Sequence, residues 1–384
     1  MIKIIGNGAA GNKAAIECIE GRVTKKENVL LINSTSKDIP KEYDSISIII
    51  GDGRGAGKER PVGKNYTMSF LKNKSDRLED FVKDEEVVYI ISSTEGGTGS
   101  GGTPPIASYI KNVLGVHPHV IAIKGFEIDV KSMKNTLNFF KEMSEDYTIQ
   151  IIDNAIFEES SNTQRELAAN KEICNRLKVL SGLTRVDSDQ NIDDADLFKL
   201  NVTPGLLSVE YGVLDKIKNK DEYNKLVSSM LDNTKTLHST KRNPERIGLI
   251  VNTKNRDIVD YNNTAIDDRL GGTQKEFYLH LQSIDKPNMK DYINIISCGM
   301  YLPLDEMQDS YERLKARDVE REKESFFQSI NELHVEDEVF GVTKAKKSKD
   351  SFFNGFEDTT FKNSSEDNKS KKKDEFFKKE SGKY

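Results

Sequence analysis

The sequence predicts an α/β fold: a Rossmann-like domain with a parallel sheet, a long central helix, a second smaller α/β domain, a C-terminal helix and a disordered tail. Three observations carry this prediction. Six short Ile/Val-rich runs in the first half are mostly continuous rather than alternating, the pattern of parallel strands covered on both faces. Helical patterns lie between them, so repeated βα units imply ligand binding at the carboxyl ends of the strands. Glycine turns follow the first, third and fourth of these strands.

The strand candidates are Ile2–Gly6, Val29–Ile32, Ser45–Ile50, Val87–Ser92, Val120–Ile123 and Ile149–Ile152, with helical stretches at Ala14–Glu20, Ser69–Lys83, Ile106–Leu114 and Val130–Ser144. From about Gln164 to Leu180, Leu167, Ile173, Leu177 and Leu180 recur at helical spacing, and Ser181-Gly182 is a natural stop. A second region begins near Thr203-Pro204-Gly205, with strands predicted at Leu206–Tyr211, Ile247–Val251 and Ile293–Ser297 and a helix around Leu214–Leu231. The polar stretch Asn255 to Gln274 receives no assignment. From Pro303 a charged helix is expected to run to about Leu333, docked by Leu304, Met307, Tyr311 and Leu314. The expected division is residues 1–160 as the nucleotide-binding domain, 161–190 as the central helix, 191–302 as the second domain, 303–335 as the C-terminal helix and 336–384 as the tail.

Composition bounds the function. The 384 residues carry 57 Lys+Arg against 63 Asp+Glu, a net charge of −6, with 36% apolar and 31% charged residues. These values suit a soluble body with a solvated appendage. Cys18, Cys174 and Cys298 are far apart and form no CxxC, which argues against a disulfide scaffold or a cysteine zinc site and for a reducing, cytoplasmic location. The five histidines form no cluster and are expected to be solvated or to serve packing. No apolar run approaches a membrane span, and the opening Met1–Ile5 is too short and strand-like for a signal peptide.

The last 44 residues, 341–384, hold 12 Lys against 8 acidic residues, so the rest of the chain is about −10. Few aliphatics and many Ser, Asn and Lys predict disorder. Three acidic-x-Phe-Phe units occur, at Glu324–Phe327, Asp350–Phe353 and Asp374–Phe377. The second and third read either as docking motifs that order on binding or as chance aromatics. The run Lys369–Lys373 could touch nucleic-acid phosphates without sequence specificity.

The glycine turns point to phosphate. Gly6-Asn7-Gly8-Ala9-Ala10-Gly11 matches GxGxxG after the first strand, where glycines let backbone N–H groups approach phosphate oxygens at a helix N-terminus. A nicotinamide dinucleotide site would want an acid at the end of the second strand, but that strand ends Ile32-Asn33-Ser34. No GK[ST] closes a glycine run, so a Walker A loop is absent. After the fourth strand, Glu95-Gly96-Gly97-Thr98-Gly99-Ser100-Gly101-Gly102 places five glycines in seven positions ahead of a helix, a nest of N–H donors to which Thr98 and Ser100 add hydroxyls. Gly55-Ala56-Gly57, with Pro61 and Gly63, supplies the third turn.

These residues resemble the tubulin/FtsZ superfamily. Gly96–Gly101 looks like its GGGTG[ST]G signature with Glu95 in place of the first glycine, Gly6–Asn12 like its first glycine loop, and Gly55–Gly57 like its GAG-x-x-P loop with the proline shifted by one position. The resemblance implies GTP/GDP binding with Mg²⁺ bridging phosphates. It places Gly97, Thr98, Gly99, Ser100 and Gly101 at the β/γ-phosphates, Gly8, Ala9, Gly11 and Asn12 at the α/β side, and Asn33, Gly55, Ala56, Gly57 and Gly96 around them. Glu127 falls to the ribose, Lys131 to the phosphate side where FtsZ has Arg, and Asn154 and Asn170 to the base. Asn191-Ile192-Asp193-Asp194-Ala195-Asp196 is similar to the NxDxxD synergy loop, which implies that Asp193 and Asp196, with Asn191, act on the nucleotide of the next subunit in a filament. Ile151–Ala155 and Thr203–Ser208 resemble segments of the TubZ branch, the plasmid and phage partition tubulins. That implies a longitudinal homopolymer linked to DNA by a TubR-like adaptor bound to the tail. The alternatives are an FtsZ-like division or phage-centring filament, a nucleotide-binding regulator that does not polymerise and, from the GxGxxG alone, an NAD(P)-dependent oxidoreductase.

Overall fold

The computed structural model describes residues 2–143, 146–186, 188, 190–232, 243–262, 264–267, 269–270, 276–284, 286 and 289–340. Residues 336–340, expected to begin the tail, continue the C-terminal helix, and the rest of the expected tail, 341–384, with its second and third Phe-Phe units and its Lys run, lies outside the described residues. Contacts divide the chain into Met1–Tyr311 and Glu312–Tyr384.

Among the described residues the first unit holds ten strands in one sheet: β1 Ile4–Asn7, β2 Val29–Asn33, β3 Ser47–Ile49, β4 Val87–Ser93, β5 His117–Lys124, β6 Thr148–Asp153, β7 Gly205–Val213, β8 Arg246–Asn252, β9 Glu276–Gln282 and β10 Tyr292–Met300. Their order is β3-β2-β1-β4-β5-β6-β7-β10-β8-β9. The strands from β3 through β7 pair in parallel, β10 is antiparallel to both its neighbours, and β8 and β9 are parallel again. The helices are α1 Gly8–Glu20, α2 Arg60–Asn73, α3 Asp76–Val82, α4 Gly97–Tyr109, α5 Val130–Met143, α6 Asn162–Leu180, α7 Asp194–Val202, α8 Lys220–Asp232, α9 Thr264–Asp267 and α10 Leu304–Phe340, the last running into the second unit.

The inner parallel strands β1, β2, β4, β5 and β6 are buried almost throughout, as their apolar runs require, whereas the edge strand β3 is half-buried to exposed. Against one face, Ala14, Ala15 and Cys18 of α1, Ile173, Leu177 and Leu180 of α6, and Leu197 and Leu200 of α7 pack on Ile4, Leu31, Ile91, Ile121 and Ile152. A second cluster joins Tyr223 and Val227 of α8 to Ile247, Leu249, Ile293 and Ile295.

Several elements differ from the sequence reading, among them α7, which falls in a stretch that received no prediction. Strand β9 was not expected; Gln190 pairs with its Leu281, and its four leading residues are only half-buried. Helix α2 begins at Arg60, nine residues before the predicted helical stretch, and a break at Lys74–Ser75 separates it from α3. The signature glycines form the first turns of α4 rather than a loop ahead of it. Glycine disfavours helix, and the compensation is close packing. A Cβ at Gly101 would lie 2.2 Å from Arg60 O, and one at Gly63 would lie 2.1 Å from Gly97 O. The backbones of α2 and α4 therefore touch where only glycine fits.

Candidate functional site: two helix N-termini at the centre of the sheet

β1 lies between β2 and β4, so the chain crosses over in opposite directions on its two sides. Such a switch point opens a crevice at the carboxyl ends of the strands. Two helices start there, α1 directly after β1 and α4 three residues after β4. Neither has a side-chain cap or an acid in its first turn. Their leading N–H groups and positive dipole ends therefore remain for a ligand, and the ligand favoured is an anion.

The two turns lock together. Gly8 sits at φ +76°, and a Cβ there would meet Gly99 N at 2.9 Å. A Cβ on Gly11 would lie 2.1 Å from Ile91 O, and one on Gly99 would lie 2.7 Å from Ser92 Oγ. Ser34, after β2, shares a 2.6 Å hydrogen bond between its Oγ and Thr98 Oγ1, and its carbonyl accepts from Gly55 N at 3.0 Å. The 51–59 turn joins the same rim. There Gly53, Gly55 and Gly57 have positive φ with open space where a Cβ would stand, while Ala56 is buried. Gly96 is similarly open, whereas Thr98 and Ser100 are buried, with Ser100 Oγ bonded to Gly96 O. Ala9 is half-buried in the first turn of α1.

The carboxyl ends of β5 and β6 bring charge. Lys124, almost buried, bridges Glu127 at 2.6 Å and Asp153 at 2.8 Å. Burial works against its charge, but Asp153 and Glu127 outweigh that and hold its pKa above the usual lysine value. Glu127 sits at φ +52°, a costly conformation for a residue with a Cβ. The Glu127 carboxylate, expected at the ribose, is thus held by Lys124 at the rim. Lys131 turns to Glu59 at the N-cap of α2. Lys58 contacts Asp129 and Ser132, and Asn135 Nδ2 donates to Lys58 O and to Glu95 O. Burial still leaves Asp129 below the usual carboxylate range, because the Ser132 N–H and hydroxyl and Lys58 dominate. The Glu95 side chain folds onto Gly125, where an added Cβ would lie 2.0 Å from its Oε2. Burial pushes its carboxyl above the usual range, against the pull of the Glu127 N–H and Lys58.

Four buried polar atoms around these turns have no partner among the described residues: Asn7 Oδ1, Asn12 Oδ1, Glu95 Oε1 and Asn154 Oδ1. Asn12 Nδ2 donates to Ile32 O, and Asn33 closes its own turn through Ser34 N and Asp38. Asn170 is half-buried on α6. Uncapped amides, a cradle that a Cβ would fill and unpaired buried acceptors fit a nucleotide polyphosphate. Among the described residues no group of three or more His, Cys, Asp or Glu could hold a metal.

The acidic loop lies elsewhere. α6 leaves the carboxyl end of β6 and, at a rise of about 1.5 Å per residue, runs back along the sheet. Its last carbonyl accepts from Asn201 Nδ2 at 3.0 Å, and Asn201 accepts from Tyr89 in β4, which pairs with Ile4, the first residue of β1. The loop after α6 therefore departs from the amino ends of the strands. Asp193 caps α7 by accepting from Asp196 N at 2.8 Å, Asn191 accepts from Ser188 N, and Asp194 pairs with Arg185. Asp193 is exposed, Asp196 is half-exposed, and no hydrogen bond or ion pair among the described residues joins either to the glycine turns.

Sequence reasoning missed Ser34, Lys58, Lys124 and Asp153. Lys124 had a signal, a lone charge ending the apolar run Val120–Ile123, but its partners depend on the β5–β6 register. The three cysteines are buried and free, and burial pushes Cys298 up to about 12. His119 is wholly buried, and burial holds it down to about 3, so it packs uncharged. No described helix is long and apolar enough to cross a membrane.

Residues 1–162 match the model of the Tubulin/FtsZ family, GTPase domain. The cell division protein FtsZ 1 of Methanocaldococcus jannaschii is 26% identical over 234 residues, which are 58% of this chain and 62% of that protein. The chain thus spans less than two thirds of the length of this curated relative. The protofilament of Bacillus thuringiensis serovar israelensis TubZ in its GTPγS form superposes with a TM-score of 0.66 at 15% identity, over 83% of this chain and 94% of the other. The GDP-bound monomer of Haloferax volcanii CetZ1 gives 0.64 at 18%, over 83% and 99%. Residues 1–162 thus match the GTPase domain of the Tubulin/FtsZ family, and the described residues share the fold of these solved structures.

Proposed function

We infer that the protein binds GTP at the α1–α4 crevice and hydrolyses it to GDP and phosphate within a filament of its own copies. The observation that carries this reading is the pair of uncapped helix N-termini meeting through Gly8 and Gly99, an anion cradle at the switch point of a tubulin/FtsZ-family domain. Main-chain amides of Gly97–Gly101 and Gly8–Asn12 hold the phosphates. Asn12 and Asn154 offer unpaired acceptors, and Glu127, held by Lys124, meets the ribose. Asn154 and Asn170 read the base. When bound with the nucleotide, Mg²⁺ would supply neutralisation of the developing charge.

The acids that would orient the attacking water, Asp193 and Asp196, stand at the opposite end of the sheet, so a single protomer has no complete site. Head-to-tail stacking brings one copy's acidic loop to the next copy's phosphates. Support for self-assembly comes from the TubZ relative, which was solved as a protofilament. GTP turnover should rise steeply above a threshold protein concentration; turnover linear in concentration from zero contradicts the reading.

The finer reading is a TubZ-like partition filament in the cytoplasm, whose tail binds a TubR-like DNA-bound adaptor and so moves plasmid or phage DNA. The FtsZ relative keeps a division filament as the second reading. A pull-down with residues 341–384 separates them, since a DNA-binding protein supports partition and a membrane anchor supports division. An NAD(P) enzyme is disfavoured because Asn33, where the ribose acid would stand, closes its own turn. GTP against NADH in a fluorescence binding assay decides that point.

A further inference from the structure

We propose that Tyr89 and Asn201 are positioning residues for hydrolysis: a buried polar pair that sets α7, and with it Asp193 and Asp196, relative to the strand that carries the phosphate turn. The inference rests on the function proposed above. Both residues are almost fully buried, at 3% and 4% exposure, and they lie where α7 packs among apolar side chains. Tyr89 Oη donates to Asn201 Oδ1 at 2.7 Å, and Asn201 Nδ2 donates to Leu180 O at 3.0 Å and Leu197 O at 2.9 Å. One amide thus ties β4, the last turn of α6 and the body of α7 together. The His119 ring lies against Tyr89, 5.0 Å between centroids, and meets Gln150 at 2.9 Å. Thr203, just past α7, adds a second clamp. Its carbonyl accepts from Thr148 Oγ1 at 2.8 Å and its hydroxyl from Arg246 at 2.7 Å.

β4 is the link to the nucleotide end. Three residues beyond Tyr89, or about 10 Å along the strand, Ser92 and Ser93 press against Gly99, while Ile91 O presses against Gly11. Both glycine turns are thus seated on the strand that holds Asn201. At the other end of α7, about two helical turns from Asn201, Asp193 caps the helix. A helix of nine residues held at its base by directional bonds presents its first turn at a fixed height, whereas apolar packing alone would let it slide. Catalysis by an acid lent to another copy is sensitive to such placement.

The test compares Tyr89→Phe, Asn201→Leu and the double variant with the full-length wild type. Tyr89→Phe removes a single oxygen and is the variant least disruptive to folding. The readouts are GTP affinity, assembly with GTPγS, turnover per assembled subunit, thermal midpoint, and hydrogen exchange of the amides of residues 193–199. The expected result is affinity and assembly within twofold of wild type, turnover down at least fivefold in all three variants, and faster exchange at 193–199. The proposal is overturned if the apolar pair in the double variant restores turnover together with the thermal midpoint, since packing would then suffice. It is also overturned if exchange at 193–199 is unchanged in Tyr89→Phe. A wild type that assembles but shows no turnover contradicts the proposed function instead, and the exchange measurement still decides the placement of α7.

Discussion

The two ends of the parallel sheet solve opposite problems with the same element, a helix N-terminus. At the carboxyl end α1 and α4 begin without side-chain caps and are packed backbone to backbone through glycine. At the other end α6 finishes, and the loop after it leads to α7, which begins with its own aspartate as cap. An uncapped, buried N-terminus leaves amides for an anion to satisfy. A capped, exposed one needs no ligand and presents its carboxylates outward. On the proposed function one end receives phosphate, the other offers acid, and a second copy of the chain brings them together.

Substitutions can break or sharpen this contrast, beginning with the largest effect. Lys124→Met leaves the Asp153 carboxylate buried without its partner, and denaturant unfolding should show a loss of about 3–5 kcal/mol. Gly11→Ala drives a Cβ into Ile91 O and should cost about 3 kcal/mol, with phosphate binding lost. Gly53→Ala, which meets nothing within 4 Å, should cost only about 1–2 kcal/mol through its positive φ. Equal costs at the two glycines would refute the close-packing account of the carboxyl end.

At the acidic end the penalties should fall on rate. Asp196→Ala should slow turnover about a hundredfold with GTP affinity unchanged. Asp193→Asn keeps a good cap and should slow turnover without a stability loss, whereas Asp193→Ala should lose about 1 kcal/mol as well. If Asp193→Asn turns over like wild type, the residue is a cap alone.

The smallest expected effect is a pH dependence at Glu95. Its carboxyl titrates above the unfolded value because of burial, so the native state holds the proton longer and loses stability as pH rises through that interval. Glu95→Gln should therefore be more stable than wild type at pH 7, and the gain should vanish below the ordinary carboxylate range. A gain that persists there would mean that charge is not its source.

What the sequence disclosed divides along the same lines. Five of the six predicted parallel strands were legible because burial on both faces leaves unbroken Ile/Val runs, and the edge strand β3 kept such a run while half-buried to exposed. The glycine turns were legible because such close backbone approach admits almost no other residue. Helix α4 was misjudged at its start, since Gly97–Gly102 reads as loop by propensity and becomes helix only through contact with α2, a tertiary effect. β9 escaped because Glu276–Gln282 is half polar and follows an unassigned stretch. The Lys124–Glu127–Asp153 cluster and the Tyr89–Asn201 pair exist only once strand register and the return of α6 are known. For Asp193 and Asp196 the sequence offered a motif, and the structure adds that they stand away from the glycine turns of their own protomer.

The central claim, that one copy's acid acts on another copy's nucleotide, is tested most directly by single-turnover co-assembly. Asp196→Ala subunits are loaded with γ-labelled GTP and mixed with an excess of wild-type subunits carrying unlabelled GTP, and labelled phosphate is followed before nucleotide exchanges. The account predicts release at close to the wild-type rate, because each labelled nucleotide meets an intact acidic loop from its neighbour. No release above that of the Asp196→Ala protein alone would contradict it.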